Sequence, residues 1–167
     1  LMVNRAMSLG RIAADLPGIK SVLVDAMDDD YETSDEGLAA IETVVTGHYT
    51  ENHPELAVER ADDIAAAVAH AQSLFAVNIF PEMKVSWKNF PDHIGHLSTP
   101  GCFRCHGGEH ENEQGEVLSR DCNVCHTIVA QEYKEGGSLV SLESVEYVHP
   151  EDIGEEWKET NCHECHE

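Results

Sequence analysis

The sequence predicts a mainly α protein with irregular loops, made of a cysteine-free helical N-terminal region and a C-terminal region with little regular structure. Residues 1–80 contain no cysteine and carry apolar residues at helical spacing. Residues 81–167 contain all six cysteines and most of the glycines, which interrupt regular elements repeatedly. We therefore expect two regions, 1–80 and 81–167, with different kinds of core.

Apolar spacing predicts the first elements of the N-terminal region. The segment 2–16 has the spacing of a helix, and Pro17 with Gly18 is expected to end it. The β-branched segment 19–27 is compatible with either a strand or a helix. Ser34 is predicted to cap a further helix that has two carboxylates in its first turn.

The segment 54–78 predicts the most regular helix of the chain. Pro54 suits the first helical position, and the middle of the segment is rich in alanine, which permits the close approach of another helix or of a large flat group. The predicted apolar stripe consists of Ile64, Val68, Ala71 and Phe75.

The chain is strongly acidic. Its formal net charge is −22, from 10 Lys and Arg against 32 Asp and Glu. This charge argues against nucleic acid as a partner, since phosphates would repel the chain, and against docking on an anionic membrane. It favours a basic or metallic partner. The sequence contains no run of about 18 apolar residues and so predicts no transmembrane segment.

Three copies of a Cys-x-x-Cys-His motif use all six cysteines. Two thiols at this spacing can form thioether bonds to the two vinyl groups of one haem, and the following histidine then lies below the iron as its axial ligand. We therefore expect three haems c, which would form the core of region 81–167. The attachment residues are Cys102, Cys105, Cys122, Cys125, Cys162 and Cys165, and the proximal ligands are His106, His126 and His166.

Three other uses of these cysteines compete with haem. The first two pairs have the spacing of a zinc ribbon, a Cys-x-x-Cys pair can form a redox disulfide, and an even cysteine count permits a structural disulfide framework. None of these explains a histidine directly after the second cysteine in all three copies. Zinc would also leave the third pair without a partner, so the sequence favours haem.

Eight of the eleven histidines remain after the proximal ones are subtracted, which favours histidine as the sixth ligand of each iron. His96 lies just ahead of the first motif, and His149 lies ahead of the third. His110 follows His106 too closely to reach the opposite face of the same iron and is expected to ligate another haem. We predict these three, His96, His110 and His149, as distal ligands.

The other histidines are weaker candidates. His93 lies three residues from His96 and is its main rival. His163 lies inside the third motif and is expected either to be exposed or to ligate a haem of a neighbouring subunit. The last three are expected to be solvated side chains: His48, His53 and His70.

The haem region resembles a known family. The segments that carry the resemblance are Met83-Lys84-Val85-Ser86-Trp87, Ile94-Gly95-His96, Gly101-Cys102-Phe103-Arg104-Cys105-His106 and His149-Pro150-Glu151-Asp152-Ile153-Gly154. They resemble NapC/NirT-like multihaem cytochromes c and surface cytochromes of metal-reducing bacteria, over about residues 78–167. The resemblance implies bis-His haems and respiratory electron transfer, and it favours the same three distal histidines. Quinol-oxidising members carry a membrane anchor and usually four or more haems, so quinol oxidation is not expected here.

Short links between the motifs indicate electron transfer. Only 15 residues separate His106 from Cys122, a span of about 50 Å when extended and far less when folded. Closely spaced haems exchange electrons by tunnelling and need no substrate site. The alternative is a multihaem oxidoreductase with one open haem position that reduces a small oxyanion. Spare histidines outnumber the irons, so no iron has to remain open, and the sequence favours an electron-transfer protein that is not an enzyme.

The expected partners are other redox proteins or further copies of the chain, with a metal or mineral as a further candidate acceptor. Thioether attachment takes place outside the cytoplasmic membrane, and the absence of Met at position 1 fits a processed N-terminus. We therefore expect a periplasmic, extracellular or cell-surface protein. A monomeric shuttle and a unit of a cytochrome filament are both compatible with the sequence.

Overall fold

The computed structural model describes residues 2–86, 88–89, 95–96, 99–134 and 136–166. The chain forms two compact units, Leu1–Phe90 and Pro91–Glu167. The predicted fold class is confirmed, since helices dominate, strands are few and the cysteine-rich part is irregular. Within the described ranges, no helix combines the length and the apolar character that crossing a membrane requires.

The first unit is helical. Its helices are α1 (Met2–Ser8), α2 (Ile19–Asp28), α3 (Ser34–Asn52), α4 (Pro54–Glu59) and α5 (Ala61–Asn78). The structure resolves the ambiguity of segment 19–27 in favour of a helix. Helix α1 ends earlier than predicted, because Gly10 adopts a left-handed φ of 69°. Ile12 and Leu16 are nevertheless buried, so the apolar positions were correct and the helix end was wrong.

The cap of α3 lies one residue before the predicted one. Thr33 is the N-cap, and its hydroxyl accepts a hydrogen bond from the Glu36 N–H at 3.2 Å. Ser34 is the first helical residue and bonds elsewhere, because its backbone N–H and its hydroxyl donate to the two carboxylate oxygens of Glu82 at 2.6 and 2.8 Å.

The helix predicted over 54–78 is divided at Arg60. This residue has φ −117° and ψ 27°, outside the helical region, so α4 ends before it and α5 begins after it. Its guanidinium donates to both oxygens of Asp15, at 3.0 and 3.1 Å, and also pairs with Asp63. These contacts hold the break and tie it to the segment that follows α1.

The apolar stripe of α5 forms much of the core of the first unit, as predicted. Ile64, Val68, Ala71 and Phe75 are all buried. Phe75 is fully buried, and its ring meets that of Tyr31 edge-on with centroids 5.8 Å apart. It also lies against Gly37 of α3, where an added Cβ would come within 2.3 Å of the ring. Glycine at position 37 thus permits this close packing of α3 and α5.

The segment after α5 belongs to the first unit. Pro81–Met83 forms a 3₁₀ turn, and Glu82 in this turn accepts the bonds from Ser34 described above. Lys88 donates to the carbonyl of Asp28 at the end of α2. These contacts explain why the units divide at residues 90 and 91, whereas the sequence analysis drew its boundary at 80 and 81.

The second unit consists of short elements. They are a 3₁₀ turn at Gly101–Arg104, α6 (Cys122–Cys125), an antiparallel pair of β1 (Ala130–Glu132) and β2 (Ser138–Val140), α7 (Glu156–Glu159) and α8 (Cys162–Cys165). The strand register pairs Ala130 with Val140 and Glu132 with Ser138. Gly101 is the sole buried residue in the described part of this unit, so side chains alone form no core there. Apolar side chains such as Val140, Leu142 and Val124 are instead 50–74% exposed.

Candidate haem-binding site

The three motifs fold into the same local structure. In each, the backbone N–H of the motif histidine donates to the carbonyl of the first cysteine. The bonds are His106 to Cys102 at 3.0 Å, His126 to Cys122 at 2.8 Å and His166 to Cys162 at 2.9 Å. One helical turn therefore separates the two thiols of each motif and directs them to the same side, with the histidine directly after them. This is the arrangement that double thioether attachment of one haem requires.

All six cysteines are free thiols, and each motif repeats one pattern of exposure. The first cysteine is half-buried and the second is exposed. The disulfide alternatives are therefore not realised in this structure. Zinc finds no support either, because within the described ranges no three Cys, His, Asp or Glu side chains converge on a metal-sized site.

The cysteines of different motifs lie close to one another. The Cys102 and Cys125 thiols lie close together, so the first motif is beside the second. Burial raises the pKa of the Cys122 thiol, and the neighbouring Cys162 thiol adds to the effect. Burial also raises the pKa of Cys125, with Cys102 contributing. These contacts place the second motif between the first and the third.

His96 lies opposite the histidine of the second motif. The ring centres of His96 and His126 are 6.1 Å apart, with an angle of 68° between the ring planes. A metal-bound imidazole nitrogen lies about 2 Å from its metal and the ring centre about 1 Å further, so two imidazoles on opposite sides of one iron have centres roughly 6 Å apart. The Nδ1 atom of His96 is buried and has no hydrogen-bond partner among the described atoms.

His149 lies opposite the histidine of the third motif in the same way. The ring centres of His149 and His166 are 6.2 Å apart, with an angle of 36° between the planes. The amide of Gln131 on β1 holds the neighbouring backbone, because it donates to the Val148 carbonyl at 3.0 Å and accepts from the Val148 N–H at 3.2 Å. The Nδ1 of His149 lies 3.0 Å from the carbonyl of Glu151. The backbone N–H of Glu151 donates to the same Nδ1 at 3.2 Å, so the Glu151 backbone anchors this ring through Nδ1.

The histidine of the first motif is oriented but not paired. The Nδ1 of His106 lies 3.1 Å from the carbonyl of Ser119, an arrangement that leaves Nε2 free. Among the residues that the structure describes, no imidazole lies opposite this ring. His110 is exposed, and its carbonyl accepts from the Leu118 N–H at 2.8 Å. His163 is half-buried, and its Nδ1 has no partner among the described atoms. His93 lies outside the described residues.

Several residues near the motifs were not singled out from the sequence. Gln131 positions the backbone before His149, and Ser119 supplies the carbonyl that orients His106. The rings of Tyr147 and Trp157 meet edge-on with centroids 5.3 Å apart. Burial raises the pKa of Tyr147, and the nearby Cys122 and Cys162 thiols raise it further, so this aromatic pair lies beside the second and third motifs. The one sequence signal for this aromatic pair is that Trp157 lies close to the third motif along the chain.

The residues of the second unit fit covalently attached haem. The turn of each motif directs its two thiols to one side. Two pairs of imidazoles have a separation that suits two ligands of one iron. The unit has no side-chain core, and its apolar side chains are exposed, as a large apolar group would require.

Comparisons with known proteins agree with this fit. The chain is 43% identical over 159 residues to the cytochrome c-type protein ImcH of Geobacter sulfurreducens. The match covers 94% of this chain and 31% of that protein, so the chain spans about a third of the length of the relative. No protein-family model matches the chain. No solved structure matches it either. The similarity supports a c-type cytochrome, with covalently bound haem c and a part in electron transfer.

Proposed function

We propose that the chain binds three haems c through its three motifs and passes electrons between them. His96 and His149 are the distal ligands opposite His126 and His166, so at least two of the irons have two histidine ligands. The role belongs to anaerobic respiration or to extracellular electron transfer, in the periplasm or at the cell surface. Donors and acceptors are other redox proteins, further copies of the chain, or a metal or mineral.

The observation that carries this proposal is the repeated spacing of imidazole pairs. Two histidines that lie outside the motifs each stand about 6 Å, centre to centre, from a motif histidine, at 6.1 and 6.2 Å. Two axial ligands on one iron would account for this spacing, because the metal sets the distance between the rings. The two pairs differ from His48 and His53 of the helical unit, whose ring centres are 5.6 Å apart, because each of them includes the histidine of a motif.

The roles of the residues follow from their positions. Haem supplies an iron that accepts or releases one electron. The six cysteines anchor it. The carbonyl of Ser119 accepts from Nδ1–H of His106 and so leaves Nε2 of that ring free for the iron. The side chain of Gln131 holds the backbone next to His149 in place. Two histidine ligands keep the potential lower than a histidine and methionine pair would. Because the cysteines of neighbouring motifs lie close together, haems attached to them would be close enough to exchange electrons by tunnelling.

The first prediction concerns haem content. Protein produced in a host that attaches haem c is expected to exceed the mass of the polypeptide by three haem masses. Intact-protein mass spectrometry under denaturing conditions measures this, because only thioether-bonded haem remains attached. A product with the mass of the bare polypeptide, or of polypeptide plus zinc, would disprove the proposed function.

The second prediction concerns the distal ligands. His96→Ala and His149→Ala are each expected to convert one low-spin haem to the high-spin form, because each leaves one iron with an open position. Electron paramagnetic resonance and the visible spectrum of the oxidised protein report the spin state. His70→Ala, in the helical unit, is the matched control and is expected to leave the spectrum unchanged. An unaltered spectrum in either test variant would remove that histidine from the ligand set.

A second candidate function depends on the first motif. No described imidazole faces His106, so an open haem position there, in an oxidoreductase that reduces a small oxyanion, is the alternative to pure electron transfer. His110 remains the ligand predicted from the sequence, and His163, with its unpartnered Nδ1, is its rival. A high-spin signal in the unaltered protein favours the enzyme. If the unaltered protein shows no high-spin signal, the first haem has a second ligand. The variant that then gains a high-spin signal, His110→Ala or His163→Ala, identifies that ligand.

The assembly of the protein decides how far it can carry electrons. A three-haem chain conducts over a useful distance only when its haems adjoin those of another cytochrome. Light scattering and electron microscopy of the haem-loaded protein at physiological salt distinguish a monomeric shuttle from a filament. A strictly monomeric species at high concentration would leave the electron-transfer role intact and exclude the filament.

A further inference from the structure

Arg120 and its two neighbours in the chain, Ser119 and Asp121, contact all three motif segments. It follows Ser119, whose carbonyl orients His106 of the first motif, and it precedes Asp121, the N-cap of the second motif. Its guanidinium donates to the carbonyls of Glu159, at 2.6 Å, and Thr160, at 3.0 Å, directly ahead of the third motif.

The guanidinium also faces the interior of the first motif. Its carbon atom Cζ lies 5.5 Å from the ring centre of Phe103, the residue after the first cysteine. A Cβ built on Gly108 would lie 3.8 Å from Cδ of the same side chain. The arginine is thus enclosed by the first motif on one side and by the end of α7 on the other.

The charge of Arg120 differs in its setting from those of two lysines of this unit. Lys134 pairs with Glu151, and Lys158 pairs with Glu155. Both hydrogen-bond partners of Arg120 are neutral carbonyls, and within the described residues no carboxylate lies within 4.0 Å of its guanidinium. Its nearest acidic neighbour in the chain is Asp121, whose carboxylate accepts from the Ser119 hydroxyl at 2.9 Å, so the charge of Arg120 acts on the surrounding motifs against that of Asp121, in a protein whose net charge is −22.

We infer that Arg120 is a positioning residue that holds the three motifs together and, by its charge, raises the reduction potential of the haems beside it. This inference rests on the proposed function. The addition of one electron lowers the charge of an iron by one, so a fixed cation nearby favours the reduced form. Carbonyl acceptors hold the cation in place without neutralising it. The acidic remainder of the chain has the opposite effect, and Arg120 offsets it locally.

The test compares the redox titrations of Arg120→Gln, Arg120→Lys and unaltered protein, each monitored by visible spectroscopy. Arg120→Gln removes the charge and is expected to lower the reduction potential of the most affected haem. At a fixed potential, the ratio of its oxidised to its reduced form is expected to rise about tenfold, which corresponds to about 59 mV for one electron. Arg120→Lys keeps the charge and is expected to titrate close to the unaltered protein. Lys20→Gln, an exposed position in the helical unit, makes the same change in net charge and is expected to have little effect.

The outcomes separate this inference from the proposed function. Unaltered protein without covalent haem overturns the proposed function itself. If the unaltered protein carries three haems, either of two results overturns the role of Arg120. One is an equal reduction potential in Arg120→Gln and Arg120→Lys, and the other is a shift in Lys20→Gln as large as that in Arg120→Gln. Should Arg120→Gln fail to load haem, Arg120→Met supplies a second uncharged variant. Failure of both, with full loading of Arg120→Lys, would show a role in assembly alone and would also overturn the inference.

Discussion

Replacement of Cys122 and Cys125 by Ala is expected to yield protein with two haems instead of three and with altered spectra of the two that remain. The second motif lies between the others, since Cys125 lies beside Cys102 and Cys122 lies beside Cys162. Loss of its haem removes the middle step of the electron path. Intact-protein mass spectrometry counts the haems, and the absorbance of the reduced protein is expected to fall by about a third.

The same motif provides the control for this experiment. Asn123 and Val124 stand between the two cysteines and are both exposed, so Asn123→Ala with Val124→Ala alters the motif without removing a thiol. This variant is expected to carry all three haems. A full haem complement in the cysteine variant would mean that the second motif does not attach haem, and it would refute the proposal at that motif.

Phe75→Ala is expected to lower the free energy of unfolding of the helical unit by about 3–5 kcal/mol. The side chain is fully buried, contacts the ring of Tyr31 and packs against Gly37. Its removal leaves a cavity, because Gly37 has no side chain that could fill the space. The loss is a large part of the total stability of a domain, which is about 5–15 kcal/mol. Urea unfolding followed by far-UV circular dichroism measures it.

An exposed valine in the same unit supplies the comparison. Val58 is 80% exposed, so Val58→Ala is expected to change the free energy of unfolding by less than about 0.5 kcal/mol. Haem content is expected to stay at three in the Val58 variant. Equal midpoints for the two variants would show that the stripe of α5 does not support the core.

The sequence predicted the apolar face of the helical unit better than the ends of its helices. The stripe from Ile64 to Phe75 was recognisable because burial follows the 3.6-residue period of a helix. The break at Arg60 was not, because it depends on ion pairs with Asp15, far away in the chain, and with Asp63. Thr33 and Ser34 are both good capping residues, and a contact with Glu82 that no local pattern reveals decides which of them caps α3.

The candidate site shows the same division between local and distant information. The attachment motifs are contiguous in sequence, so their residues and local geometry could be predicted. The pairing of the proposed distal histidines could not, because His96 is much nearer in sequence to the first motif yet its ring lies beside that of His126 of the second. Arg120 and Gln131 escaped notice because their importance lies in backbone groups that they bind at a distance along the chain.

The pairing of His96 with His126 has a consequence for the unfolding of the second unit. If haem iron joins these two side chains as proposed, the bond would close a loop that contains the entire first motif, whereas a bond between His149 and His166 would close a shorter loop that contains neither of the other two motifs. Closing a loop restricts the unfolded chain, and the effect grows slowly with loop length. Under the proposed ligation, replacement of His96 would open the longer loop and free the segment that bears the first motif, while the third motif would keep its own tether.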